Sequence, residues 1–151
     1  LLTEGICDAW AALPLVERIE RPVVDLGSGS GLPGLILAAA LPDRPFALVE
    51  VRRKRAAFLR EAIRRMGLPR AYVHHCRAEA LRDSGDAPRR PLLVARAFAP
   101  PPEVLAEATR WGAEACLLNV VLPEPDVQGW SVLDRAEGRP EGRRHLLLTP
   151  G

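Results

Sequence analysis

The chain has 151 residues, 48% of them apolar and 26% charged, and a net charge of +2, an ordinary globular composition with enough length to bury a real core. No stretch approaches the roughly 18 apolar residues of a membrane helix, and acids break up the first ten positions, unlike a signal peptide. These features lead us to expect one cytoplasmic, monomeric domain over residues 1–151 that has no dealings with a membrane. Three cysteines, Cys7, Cys76 and Cys116, lie far apart in no metal-ligand spacing, which fits reduced thiols and no bound metal.

Residues 1–21 read as a lead-in helix. Asp8 to Ile19 carries Trp10, Leu13 and Val16 at helical spacing, and Pro14 predicts a kink or break. From residue 22 onward strands and helices alternate. "RPVVDL" reads as a short buried strand, and "GLILAAALP" as an apolar helix with Pro33 in its first turn and Pro42 past its end. "PFALVEV" is a second strand. Arg53 to Met66 is an amphipathic helix with Leu59, Ala62, Ile63 and Met66 inward and Gly67 closing it. "RAYVHHC" is a third strand, Ala78 to Leu81 a short turn or helix, and "DSGDAPRRP" a loop. "LLVARAF" is a fourth strand, "PPPEVLAEATRWG" a helix that Gly112 closes, and "EACLLNVVL" a fifth strand. "GWSVLDRA" and "RRHLLLTP" finish the chain as two antiparallel strands.

This order predicts an α/β, Rossmann-like fold: a mostly parallel seven-stranded sheet with an antiparallel C-terminal hairpin. In such sheets the ligand sits beyond the carboxyl ends of the strands, where strand order reverses. The glycine-rich stretch "VVDLGSGSGLPG", Val23 to Gly34, follows the first strand and falls in that place.

Two motifs overlap in it. Gly29, Gly31 and Gly34 satisfy G-x-G-x-x-G, the dinucleotide fingerprint, which leaves a nicotinamide-dependent oxidoreductase as an alternative. Asp25, Gly27, Gly29 and Gly31, with Ser28 among them, give D-x-G-x-G-x-G, a loop suited to S-adenosylmethionine. Glu50, at the end of the next strand, suits both, because a carboxylate there accepts from ribose hydroxyls. Asp25 separates them. An acid just before the loop would repel a pyrophosphate seated on helix-terminal N–H groups, whereas S-adenosylmethionine carries an ammonium and a sulfonium. A structural turn with a hydrogen-bonded Asp is the third possibility. The methyltransferase reading is the strongest of the three.

"DLGSGSGLPGL", "LVEVRRKRAAFL", "CRAEAL", "ARAFAP" and a terminal "RRHLLL" occur in the order and spacing of one family. From roughly Asp8 to Leu148 the chain resembles the small-subunit ribosomal RNA guanine-N7 methyltransferases, also called glucose-inhibited division protein B. The resemblance implies methyl transfer from S-adenosylmethionine to a guanine N7 of the ribosomal decoding region, with ribosomal RNA or the small subunit as partner. It also implies that Gly27 and Leu32 contact the cofactor, Glu50 its ribose, Ala78 and Glu79 its adenine neighbourhood, and that Arg96 sits beside its methionine end. Guanine N7 is a lone pair without a proton, so no general base is required and no catalytic residue is nominated. A cofactor-binding relative that does not catalyse is the non-enzyme alternative.

Between Val51 and Arg70 eight basic side chains are opposed only by Glu61, a local charge of +7. Arg53, Arg60 and Arg64 share one helical face and suit phosphate contacts. Phe98 can stack on an extruded base or join the core. His74 and His75 read as structural, and Trp10, Trp111 and Trp130 as packing residues. The departures from the family pattern lie on the substrate side. The chain begins almost at the lead-in helix, Gly5 stands where members tend to have a His shortly before Asp8, and Leu118, Asn119 and Val120 stand for Leu-Lys-Gly.

Overall fold

The computed structural model describes residues 2–151. Its elements are α1 (Leu2–Glu17), β1 (Val23–Leu26), α2 (Gly34–Ala40), β2 (Phe46–Val49), α3 (Arg53–Met66), β3 (Ala71–His74), α4 (Ala78–Asp83), β4 (Leu92–Ala95), α5 (Pro101–Arg110), β5 (Ala115–Val121), β6 (Trp130–Glu137) and β7 (Arg143–Pro150). They build one seven-stranded sheet in the order β3-β2-β1-β4-β5-β7-β6. Pairing is parallel from β3 across to β5 and antiparallel from β5 through β7 to β6. This is the architecture the alternation of strands and helices predicts.

The central strands β1, β2 and β4 are buried at every position, as parallel strands covered on both faces must be. The pleat sends their side chains into two apolar layers. Val24, Leu26, Leu93, Cys116, Leu146 and Leu148 pack with Val104, Leu105, Ala108 and Trp111 of the α5 side. Val23, Leu48, Leu92, Leu117 and Leu147 pack with Leu15 and Val16 of α1, Leu35 and Leu37 of α2, and Leu59 of α3. Edge strand β6 alternates between half-buried and exposed residues, with one face toward water.

Several local expectations are corrected. Pro14 does not end α1, which runs on to Glu17. The proline sits on the exposed side while Ala12, Leu15 and Val16 are buried against the sheet, and that burial holds the last turn. The buried stripe of α1 is Gly5, Asp8, Ala9, Ala12, Leu15 and Val16, which puts Trp10 on the opposite face, 58% exposed, with Leu2 and Ile6. Trp111, in contrast, is buried and donates its indole N–H to Glu107 at 3.0 Å. Met66 is 43% exposed, because Gly67 turns left-handed after it and the chain folds back. Leu68 is then tucked in, its N–H donated to the Ile63 carbonyl at 3.1 Å. Pro33 precedes α2 as its N-cap residue instead of lying in its first turn. Cys7 is exposed, Cys76 half-buried and Cys116 buried, all three as free thiols.

Candidate functional site

Strand order reverses between β1 and β4, so their carboxyl ends open a crevice, and the glycine loop turns across it. Gly27, Gly29 and Gly31 have φ of 65°, 53° and 87°, a left-handed alternation that side chains resist, and this is why the sequence spends glycines there. The loop is pinned from below: Ser28 donates its N–H to the Val49 carbonyl at 3.0 Å and its hydroxyl to the Asp25 carbonyl at 2.9 Å. Glu50 is 4% exposed, and its two oxygens accept the Gly29 N–H at 2.9 Å and the Arg52 N–H at 2.8 Å. It therefore ties the loop to the start of α3.

Asp25 lies beneath the loop and does not line the crevice. It is 1% exposed and accepts the first N–H of α2, from Gly34, at 3.2 Å. A Cβ at Gly34 would collide with the Asp25 carboxylate and come within 2.6 Å of Leu48, so only glycine lets the strand acid and the helix start approach this closely. Burial, with the Glu50 charge nearby, pushes the Asp25 carboxyl up from 3.8 to about 7, against the pull of its hydrogen bonds.

The crevice is about 650 Å³ and is walled by Gly5 of α1, residues 27–30 and Leu32 of the loop, Lys54, Arg55 and Phe58 of α3, and Arg96 and Ala97 after β4. Of the residues assigned from sequence, Gly27, Ser28, Gly29, Leu32 and Arg96 therefore come together on it. Gly31 is buried in the turn below them. Ala78 and Glu79 open α4 and line a separate cavity of about 460 Å³ with Phe98, Ala99 and Glu103. Phe98 stands between the two. It is 41% exposed rather than part of the core, and its ring lies over Gly27, 3.0 Å from where a Cβ would be. Ala97, just before it, holds φ at +53°, an unusual conformation for a residue with a side chain.

Below Arg96 is a polar cluster that sequence reasoning missed. Asp8, 1% exposed on α1, accepts from His145 Nε2 at 2.9 Å, from the Arg139 N–H at 2.6 Å and from Asn119 Nδ2 at 3.1 and 3.3 Å. Arg96 Nε stands 3.7 Å from its other oxygen, and Arg143 donates to Asn119 Oδ1 at 2.9 Å. Burial alone pushes the Asp8 carboxyl up, but the hydrogen bonds from His145 and Arg139 and the charges of His145 and Arg96 hold it below its ordinary range. The available signal was a carboxylate on the apolar stripe of α1, at helical spacing from Ala12 and Leu15. Gly5 also has a spatial reason: Leu32 fills the place of its side chain, with Leu32 Cδ1 2.6 Å from an added Cβ.

On α3 the cations divide into two groups. Arg64 and Arg65 are held by Glu61, at 2.7 and 2.6 Å, so Arg64 does not stand free beside Arg53 and Arg60. Arg52, Arg53, Lys54, Arg55 and Arg60 form no ion pair among the described residues, and Lys54 and Arg55 reach the crevice. His75 is exposed and bonded through Nε2 to the Val51 carbonyl at 3.0 Å. A further cavity of about 490 Å³ lies at the amino ends of the strands, far from the loop; there Arg44 donates to the Val16 and Ile19 carbonyls at 2.8 and 3.0 Å and holds the end of α1.

The family model for rRNA small subunit methyltransferase G (GidB) matches residues 1–114. The chain belongs to this family. It is 42% identical to the Ribosomal RNA small subunit methyltransferase G of Paracoccus denitrificans over 70% of this chain and 52% of that protein. To the enzyme of the same name from Stenotrophomonas maltophilia it is 35% identical, over the whole chain and 74% of the relative. The chain thus spans about half the length of the first relative and three quarters of the second. Among solved structures, a mutant of MtNAS in complex with S-adenosylmethionine superposes with a TM-score of 0.68 at 16% identity, covering 93% of this chain and 62% of that one. TrmN from Thermus thermophilus superposes with a TM-score of 0.66 at 20% identity, covering 95% and 48%. These two likenesses concern the fold. Membership of the GidB family sets aside the dinucleotide reading of Gly29, Gly31 and Gly34.

Proposed function

We propose that this chain is one methyltransferase domain, with residues 1–21 leading into a core over 22–151, that transfers a methyl group from S-adenosylmethionine to N7 of a guanine in small-subunit ribosomal RNA. Its place of action is the cytoplasm and it acts as a monomer; among the described residues no helix is long and apolar enough to cross a membrane.

The observation that carries this reading is what the crevice wall contains. It presents glycine backbone, two serines, apolar side chains and three cations, and none of the side chains lining it is a carboxylate, imidazole or thiol. A target that had to lose a proton would want a base there. Guanine N7 does not, because its lone pair is already free. When bound, the cofactor supplies a methyl group on a cationic sulfur, which an uncharged nitrogen can accept without proton transfer. The protein then has to hold two partners in line, and orientation alone can contribute on the order of 7–11 kcal/mol.

The residues fit the cofactor. The turns at Gly27, Gly29 and Gly31 leave a backbone cradle without side chains. Each Glu50 oxygen keeps a second acceptor site for a ribose hydroxyl. Ala78 and Glu79 border the adenine end across Phe98, and Leu32 and Arg96 face the methionine end. Asp25, ionised above about pH 7, then adds negative potential from beneath the loop. The unpaired cations Arg52, Arg53, Lys54 and Arg55 extend this wall outward, in the direction a polyanion would lie. Thermal shift with S-adenosylhomocysteine and with NADH tests the cofactor assignment. S-adenosylhomocysteine should raise the melting temperature and NADH should not; the reverse result would restore the oxidoreductase reading.

A further inference from the structure

We infer that Asp8 is a positioning residue: it anchors the Nε side of Arg96 so that the two outer nitrogens of the guanidinium present a fixed fork to the carboxylate of the cofactor. This inference rests on the proposed placement of Arg96 at the methionine end and adds the group that holds it there. Asp8 comes from α1, whereas Arg96 directly follows β4, so the contact also ties the lead-in helix to the crevice.

The geometry divides the guanidinium into two sides. Nε lies 3.7 Å from Asp8 Oδ2, while NH1 points toward Gly5, 3.5 Å from where a Cβ would stand, on the crevice wall. Arg96 keeps 27% of its side chain exposed against 2% for Asp8, so one end of the pair is sealed and the other is open. Asp8 itself is fixed from three further directions, by His145, Asn119 and the Arg139 N–H. Such a carboxylate has little freedom to follow a moving arginine, and the arginine must come to it. A guanidinium whose Nε faces a fixed carboxylate at ion-pair distance, 3.7 Å, keeps its two outer nitrogens for a planar, two-pronged contact with a second carboxylate, which is the geometry arginine supplies and lysine does not. Asn119 completes the device. It is neutral, so it saturates Asp8 without competing with Arg96 for its charge.

The test compares two probes, S-adenosylhomocysteine, which has the amino-acid end, and 5′-methylthioadenosine, which lacks it. Their affinities are measured by calorimetry on the parent, on Arg96→Ala, on Asp8→Asn, and on the double variant Asp8→Asn with Asn119→Asp. The double variant exchanges acid and amide across an existing hydrogen bond. It keeps the buried charge but moves it away from Arg96 and toward Arg143. Arg96→Ala should lose the preference for S-adenosylhomocysteine by about tenfold or more, the scale of a charge-assisted hydrogen bond, with methylthioadenosine binding intact. Asp8→Asn and the double variant should lose most of the same preference. If Arg96→Ala keeps the parental preference, the placement of Arg96 itself is wrong. If Arg96→Ala loses it while the double variant keeps it, only the role of Asp8 fails. Should both Asp8 variants fold too poorly to bind methylthioadenosine, Asp8 is a fold-holding carboxylate and the inference is overturned.

Discussion

Asp25 is held under the glycine loop at a cost to stability that depends on pH. Its carboxyl is pushed up from 3.8 to about 7, a difference of about three units, and each unit corresponds to about 1.36 kcal/mol. Because the folded state keeps this proton to higher pH than the unfolded chain does, stability falls as pH rises from about 4 to about 7, and the loss of about 4 kcal/mol persists above that. Asp25→Asn removes the titration while its side-chain oxygen can still accept the Gly34 N–H. The variant should therefore unfold at a higher temperature than the parent at pH 8, by about 10 °C for a domain of this size. At pH 4 the two should be close, since both are then neutral at this position. Urea unfolding followed by circular dichroism at pH 4, 6 and 8 reads the difference directly. S-adenosylmethionine affinity should fall in the same variant, so that stability and function move in opposite directions. An Asp25→Asn protein equally destabilised at pH 4 and pH 8 would refute this, and would make the carboxylate a hydrogen-bonding post with no electrostatic penalty.

Asp8 gives the opposite slope. Its carboxyl is held below the ordinary range, so its contribution is present above about pH 4 and disappears as pH falls through the folded value; unfolding of Asp8→Asn should lack that acid limb. Gly34→Ala should lower the melting temperature and remove S-adenosylhomocysteine binding, because its Cβ meets Asp25 and Leu48, whereas Gly85→Ala, with open space around it, should cost only the strain of its left-handed backbone and leave binding unchanged. Reversing Arg53, Lys54 and Arg55 to Glu should weaken RNA binding and make the log–log salt dependence shallower by about 2. Reversing Arg64 and Arg65, which Glu61 already occupies, should change that slope much less, and equal effects of the two sets would remove the distinction drawn on α3.

What the sequence made legible follows from where local pattern and global packing agree. Continuous apolar runs between helices could only be covered parallel strands, and the switch to the alternating "GWSVLDRA" marked the antiparallel edge. The glycine loop was legible because its backbone demands a residue without a side chain. Contacts between distant positions were hidden. Nothing near Asp8 announces that His145 and Asn119 will meet it, since their meeting depends on α1 crossing the ends of β5 and β7. Asp25 was recognised as a residue of the site, but its chain position could not say whether the carboxylate faces the ligand or the helix. The pleat decides that, and it sends Asp25 to the layer of Val23, under α2. Trp10 and Met66 misled because apolar spacing gives a stripe without saying which of its margins the sheet reaches.

The most direct test of the central claim is methyl transfer itself. The protein is incubated with S-adenosylmethionine labelled in its methyl group and with small ribosomal subunits from cells lacking the gene, and the RNA is digested to nucleosides and analysed by mass spectrometry. Label should appear in N7-methylguanosine, at one guanine of the small-subunit RNA, and at limiting S-adenosylmethionine it should fall by about tenfold or more when Arg96→Ala replaces the parent. Label in another nucleoside, or a subunit left unlabelled by a protein that binds the cofactor, would contradict it.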